Sequence, residues 1–537
     1  MPRSLLVAAC LALTLAFSAL AIEPPKASEK WVSMETEGFR FVSGVSPRET
    51  QRIARDLLRM RASVANVSDF KLQTAESTRV FVFPGKPRFA AYCEAILLRD
   101  CENITGFFTG AGGSNFIVLR GDAENGVDRV IYHELTHQMM VNTNSALPLW
   151  FHEGVAEYFT SFRTVGAQTH VGEPIEEHVR WLSAERLIPL RELFSTTASS
   201  PIYNEGKRTG VFYAQSWALV HYLLHDADRR VKLRRFLTLL DSGKPTNDAF
   251  ETAFEMPFSA LEEALRAYIR KASFTVYAYA FGDIAIPELT APATMPYDVV
   301  LQQHAQLLAH RPKTAGTAER FFKEAIAANG SNALAHAGLA RLYDSTGRRT
   351  KADAAYAKAV ELGSENAEVQ LLVGRGLLDR GVSEFAKARP FFKRATELDP
   401  QSAAAWGGLG ATYIVDGPAG MAGVAALEKS LALDPNNEDA TYYLAQLLSN
   451  DGRRHREVRK LAQGLLARTR NKQLKVELRN ILAVAAVNDA AENANAGRYA
   501  EALAAVDTAL PGIIDEGVRK QALAIREMIA AEVKKRE

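Results

Sequence analysis

In the segment Ile131-Tyr132-His133-Glu134-Leu135-Thr136-His137-Gln138, two imidazoles stand four residues apart with a carboxylate beside the first. On an α-helix, positions four apart share a face about one turn apart, so both imidazoles can reach one metal ion. Glu134 projects beside them, close enough to a water in that site to take its proton. A nitrogen-rich set suits borderline-soft Zn²⁺. Catalytic zinc usually has three protein ligands and one open position, so a third donor is needed. Acidic candidates cluster in Leu149-Trp150-Phe151-His152-Glu153-Gly154-Val155-Ala156-Glu157-Tyr158.

The two segments together, His-Glu-x-x-His followed by Pro-x-Trp-x-x-Glu-Gly-x-Ala-Glu-Tyr, resemble the gluzincin metallopeptidases. The likeness is strongest to the peptidase MA-like domains of bacterial exported proteins, which often stand beside tetratricopeptide repeats. The motifs span about 30 residues, and a weaker likeness extends over about 30–271. The resemblance implies a zinc cofactor, a peptide or protein substrate, Glu134 as general base, and Glu153 as third ligand beside His133 and His137. Glu157, one helical turn further on, faces the same way and suits a hydrogen bond from a ligating imidazole. His152 points elsewhere, as adjacent helical residues do. Two departures argue against aminopeptidase activity. Only fifteen residues separate His137 from Glu153, and the Gly-Ala-Met-Glu-Asn motif that holds a free amine is missing.

Peptide hydrolysis also needs a donor for the developing oxyanion. Tyr213, in the family-like segment Tyr213-Ala214-Gln215-Ser216-Trp217, and Tyr203 are the candidates; packing is the alternative for Tyr213. The strand 115–119 is either the edge that pairs with an extended peptide, as in gluzincins, or an ordinary sheet strand. His221 and His225 are four apart but lack a suitably placed glutamate, and read as helix packing.

The elements that must position these groups follow from periodicity. Residues 31–34 and 39–42 alternate as a hairpin, and 46–66 carry Ile53, Leu57, Met60 and Val64 at helical spacing behind Ser46-Pro47. A strand at 79–83 ends at Pro84-Gly85. A second hairpin, 107–119, flanks Gly110-Ala111-Gly112-Gly113, and a helix over about 127–141 carries the two histidines. From 149 to 271 the pattern is mainly helical. Residues 274–297, with Pro287, Pro292 and Pro296, read as a linker.

Beyond 298 the chain repeats. Trp406-x2-Leu409-Gly410-x2-Tyr413 with Asp434-Pro435 is the best copy, and Leu339-Ala340-x2-Tyr343 with Gly347, Ala352, Tyr356 and Ala359 an earlier one. Further degenerate copies cover 373–400, 441–445 and 497–509. This resembles the tetratricopeptide repeat (TPR), which implies a helical solenoid whose groove binds a protein partner.

The expected fold is therefore an α+β metallopeptidase-like domain over 22–273, the linker, and an all-α TPR solenoid over 298–537. Residues 1–21 read as a signal peptide: Arg3, an apolar run from Leu5 to Phe17, and the cleavage pattern Ala19-Leu20-Ala21. The expected location is periplasmic or secreted, with no membrane span after cleavage. Export exposes Cys93 and Cys101 to an oxidising compartment; they are either a disulfide or two free thiols. The composition, 47% hydrophobic and 23% charged with a net charge of +2, is that of globular protein and offers no basic field for nucleic acid. The functional expectation is an exported zinc metallohydrolase, a peptidase joined to a protein-binding solenoid; the alternative is a TPR scaffold with an inactive peptidase-like domain.

Overall fold

The computed structural model describes residues 22–536 except 69–77, 103, 112–113, 123–128, 142–146, 198–199, 205, 242–243, 272, 281–285, 436, 452–453, 470 and 514–515. The signal peptide read at 1–21 lies outside the described residues. Six strands form the main sheet: β1 (Val32–Thr36), β2 (Phe39–Ser43), β3 (Thr78–Phe83), β4 (Gly106–Ala111), β5 (Ser114–Arg120) and β9 (Ala293–Thr294), in the order β4-β5-β3-β2-β1-β9. The pairs β2/β3 and β3/β5 are parallel and the others antiparallel. Helix α1 (Pro47–Ser68) makes the crossover between β2 and β3, and α2 (Lys86–Leu97) follows β3.

Successive strand residues point to opposite faces, and here both faces are apolar. Val80, Val82, Ile117 and Leu119 enter one core with Ile53, Leu57 and Met60 of α1. Their neighbours Phe81, Phe83, Phe116 and Val118 enter a second core. That second core is completed by Trp31 and by Val300, Leu301, Phe321 and Phe322 from the first solenoid helices. At its centre His304 is fully buried, with Nδ1 2.7 Å from the Tyr92 hydroxyl and its ring edge-on to Trp31 at 4.5 Å. Burial holds that imidazole neutral by lowering its pKa to about 3. The solenoid is thus the second covering layer of the sheet.

On the other face sit α3 (Arg129–Val141), α4 (Leu149–Thr160), a hairpin of β6 (Arg163–Val165) and β7 (Gln168–Val171), then α5 (Glu176–Ala184), α6 (Leu190–Ser195), α7 (Pro201–Asn204) and α8 (Gly206–Leu224). Helices α9 (Ala227–Asp241), α10 (Thr246–Phe254) and α11 (Phe258–Arg270) complete this half. The β6–β7 hairpin interrupts the stretch that reads as mainly helical. The segment read as a linker is also built into the fold. Strand β8 (Tyr277–Ala280) pairs with β7, and β9 pairs with β1. The prolines flank these short edge strands and so do not break the ladders.

The solenoid consists of α12 (Tyr297–Leu308) with α13 (Ala315–Ala328), α14 (Ala333–Ser345) with α15 (Arg349–Leu362), and α16 (Ala367–Asp379) with α17 (Phe385–Leu398). It continues with α18 (Ala403–Ala411) and α19 (Val424–Leu433), α20 (Glu438–Asp451) and α21 (His455–Arg468), α22 (Lys472–Asn495) and α23 (Tyr499–Ala509), and α24 (Glu516–Arg536). The glycine of the repeat pattern has a direct cause: a Cβ at Gly410 would lie 2.4 Å from Leu427 Cγ on the second helix of the same repeat. No helix among the described residues is long and apolar enough to cross a membrane.

Cys93 at the end of α2 and Cys101 before β4 are bridged, with Cα atoms 6.1 Å apart, inside the second core. Non-reducing peptide mapping of oxidised protein is expected to recover them as one linked pair. Truncation tests the shared sheet. A fragment of residues 22–290 uncovers Phe81, Phe83, Phe116 and Trp31 and is expected to aggregate, whereas 22–362, which retains α12–α15, is expected to remain soluble and folded by sedimentation and circular dichroism.

Candidate active site

Helix α3 lies against the core through Ile131, Leu135 and Met139, which turns His133, Glu134, His137 and Gln138 to its half-buried face. Helix α4 packs beside it and is buried on nearly every side by Trp150, Phe151, Val155, Tyr158 and Phe159. Its far side meets α8 at Gly154, where a Cβ would lie 2.4 Å from the Ser216 carbonyl oxygen and 2.7 Å from Val220 Cγ2. The glycine of the Glu-Gly-x-Ala motif therefore sets how deeply α4 sits, and with it where Glu153 points.

Three of the expected residues converge. His133 Nε2 and His137 Nε2 are 3.1 Å apart, and Glu153 Oε2 lies 3.5 Å from the first and 3.3 Å from the second. Separations of this size suit three donors standing about 2.0–2.1 Å from one divalent cation. Glu153 is 3% exposed, and its Oε2 has no hydrogen-bond partner. A buried, orphaned carboxylate oxygen facing two imidazole nitrogens is the donor set that a divalent cation completes.

The outer atoms of these ligands are held as well. Glu153 Oε1 accepts the Tyr203 hydroxyl at 2.9 Å. Glu157 Oε1 is 3.3 Å from His133 Nδ1, as the one-turn spacing suggests, and its Oε2 is 2.9 Å from His178 Nε2 on α5. Burial works against ionising both carboxyls, but the imidazoles outweigh it: His133 and His137 hold Glu153 below the carboxylate range, and His133 and His178 bring Glu157 down to about 2. Conversely burial disfavours charge on His133, while Glu153 and Glu157 raise it to about 10. Two carboxylates thus face one imidazole, an excess of negative charge that suits a cation. Glu134 is half-buried, on the same exposed side of α3 as the two histidines.

The remaining candidate residues are placed as follows. The hydroxyl on Glu153 belongs to Tyr203, from the short α7, while Tyr213 stands behind it with ring centroids 5.9 Å apart. Burial and the nearby Glu153 charge push the Tyr213 phenol well up, so it keeps its proton. The rest of its segment serves packing: Gln215 bonds both the N–H and the C=O of Ile188 at 2.7 Å, and Trp217 is fully buried. Strand β5 cannot receive a peptide, because β3 and β4 already pair with both of its edges. Among the described strands, the sheet edge on that side is β4. His152 stays outside the donor set, its ring 6.3 Å from that of His137. His221 and His225 stack at 4.0 Å and bond Gly172, Tyr268 and Tyr158, as packing residues do. His178 escaped the sequence reading because it has no partner at ligand spacing.

Gly154→Ala tests the wedge between α4 and α8. It is expected to destabilise the fold by about 1–3 kcal/mol, the range for overpacking a tight contact, and to weaken zinc binding, read by urea melts and by chelator competition.

Against this geometry, the chain matches the family model of the peptidase MA superfamily over residues 114–271 and that of the tetratricopeptide repeat over 309–376. A comparison with curated proteins finds no match. Similar solved structures include Pseudomonas aeruginosa PilF, 19% identical over 42% of this chain and 98% of that one, with a TM-score of 0.32. They also include YrrB, described as a TPR protein with an unusual peptide-binding site, 20% identical over 33% of this chain and 89% of that one (TM-score 0.27). A thermophilic TPR protein of Thermus thermophilus is 20% identical over 34% of this chain and 98% of that one (TM-score 0.29). Likenesses at such scores carry no argument of their own. The chain thus carries a stretch matching the peptidase MA superfamily, followed by one matching the tetratricopeptide repeat.

Proposed function

We propose that the chain is an exported zinc-dependent metallohydrolase, acting as a peptidase, whose TPR solenoid binds a protein partner or substrate. The observation that carries this reading is the convergence of His133 Nε2, His137 Nε2 and Glu153 Oε2, which makes no hydrogen bond of its own, on one point beside the helix that carries Glu134. Zinc held by those three atoms would acidify a water and polarise a scissile carbonyl.

The chain's own residues do the rest. Glu134 takes the proton of the attacking water and delivers it to the leaving amine. Glu157 accepts the Nδ1–H of His133, so that Nε2 presents its lone pair. Tyr203 occupies the outer oxygen of Glu153 and leaves the inner one as donor. Tyr213, kept protonated, is the candidate donor to the oxyanion. An extended peptide would pair with the edge strand β4. Export is supported by the leader pattern at 1–21 and by the Cys93–Cys101 bridge.

Two substitutions separate chemistry from metal binding. Glu134→Gln preserves size and is expected to lower peptide turnover by roughly 10²–10⁴, with zinc content unchanged by elemental analysis. His133→Ala is expected to lose both zinc and turnover. A zinc-loaded parent that cleaves nothing in a broad peptide library would instead make the chain a binding protein.

A further inference from the structure

A second group of nitrogen and carboxylate donors lies in the solenoid, where α21 meets α22. His455 opens α21, and Asp489 and Glu492 stand three residues apart on α22, hence on one face. His455 Nε2 is 3.0 Å from Asp489 Oδ1 and 2.8 Å from Glu492 Oε2, and the three atoms lie within 4.8 Å of one another. His455 is 7% exposed, and neither of its ring nitrogens makes a hydrogen bond.

That combination is informative. An imidazolium bridging two carboxylates would aim its N–H at one of them, yet both oxygens are near Nε2 without lying in line with it. Donors that crowd a nitrogen from the side are placed as neighbours around a common cation. Adjacent ligands of an octahedral ion with bonds of about 2.1 Å are about 3.0 Å apart. The charges agree. Arg459 pairs with Asp489 Oδ2, which leaves Oδ1 turned to His455. Two carboxylates against that one guanidinium leave one negative charge facing the imidazole. The Glu492 side chain is 51% exposed, so an ion and its waters can enter.

We propose that His455, Asp489 and Glu492 form a second metal site, for a divalent first-row transition cation, that clasps α21 to α22. One nitrogen and two carboxylate oxygens with water are a donor set for Mn²⁺ or Zn²⁺. The clasp has a mechanical consequence. Helix α22 belongs to two cores, with Leu478 and Ile481 in the core shared with α20 and α21, and Val487 and Ala490 in the next core with α23 and α24. The ion would tie α21 to the end of α22 that faces the second of these, and so make the far end of the solenoid rigid in a metal-dependent way.

The test uses the full chain with the first site removed by His133→Ala and His137→Ala, titrated with Mn²⁺ alone and followed by electron paramagnetic resonance. One bound Mn²⁺ per chain and a rise in Tm on binding are expected. Adding His455→Asn or Glu492→Gln is expected to abolish both, and Glu492, being exposed, can be changed without disturbing the fold, as circular dichroism checks. In the otherwise unaltered chain, His455→Asn should lower total bound Zn²⁺ by one ion. Absence of saturable Mn²⁺ binding, or binding that survives both substitutions, would overturn the site and leave a simple ion pair. Neither readout depends on peptide hydrolysis.

Discussion

A carboxylate that is 3% exposed must have its charge answered from inside the protein, and Glu153 is that group. Its outer oxygen takes the Tyr203 hydroxyl, and its inner oxygen has only the two imidazoles of α3. Helix α4 can bring Glu153 to that position only because Gly154 lets its backbone rest on the Ser216 carbonyl of α8. The pinned amide of Gln215 and the buried Trp217 in turn hold α8. The charge of one side chain therefore organises three helices, and a cation is the partner that the arrangement leaves room for.

The second constraint is the sheet with two apolar faces. Because residues alternate along β3, Val80 and Val82 pack toward the site while Phe81 and Phe83 pack toward the solenoid. The layer under the site helices is thus the same layer that receives α12 and α13. Strands β8 and β9 strengthen the tie by returning the chain to both sheets before the solenoid begins. The first repeats are consequently fixed relative to the site. A partner held in the groove would meet the site at a defined distance, without the search that a flexible tether requires.

Repeat periodicity, the hairpins and the His-Glu-x-x-His helix were legible in the residues, because each is a local regularity of spacing. The assignment of Glu153 and Glu157 was legible through motif resemblance, with the one-turn spacing placing both on one face of α4. Their distinct roles follow from geometry: Glu153 points into the triad and Glu157 reaches the back of His133. Tyr203 and His178 were not legible as partners, since each comes from a short helix distant in sequence and its hydrogen bond to the site exists only once the helices are packed.

The same division explains the expectation that changed and the alternative that the structure decided. A proline-rich stretch without helical period reads as a linker, yet pairing of four residues to β7 and two to β1 needs partners that no local pattern names. Strand β5 reads either as a peptide-pairing edge or as an ordinary sheet strand, and the second holds, because whether a strand is an edge depends on its neighbours on both sides. The sequence by itself determined which segments form helices, strands and repeats, and which side chains could bind a metal, because these follow from spacing along one chain. Only the tertiary structure decided which strand forms the edge, which tyrosine holds Glu153, and that the solenoid covers the sheet, because each is a contact between segments whose separation along the chain carries no local signal.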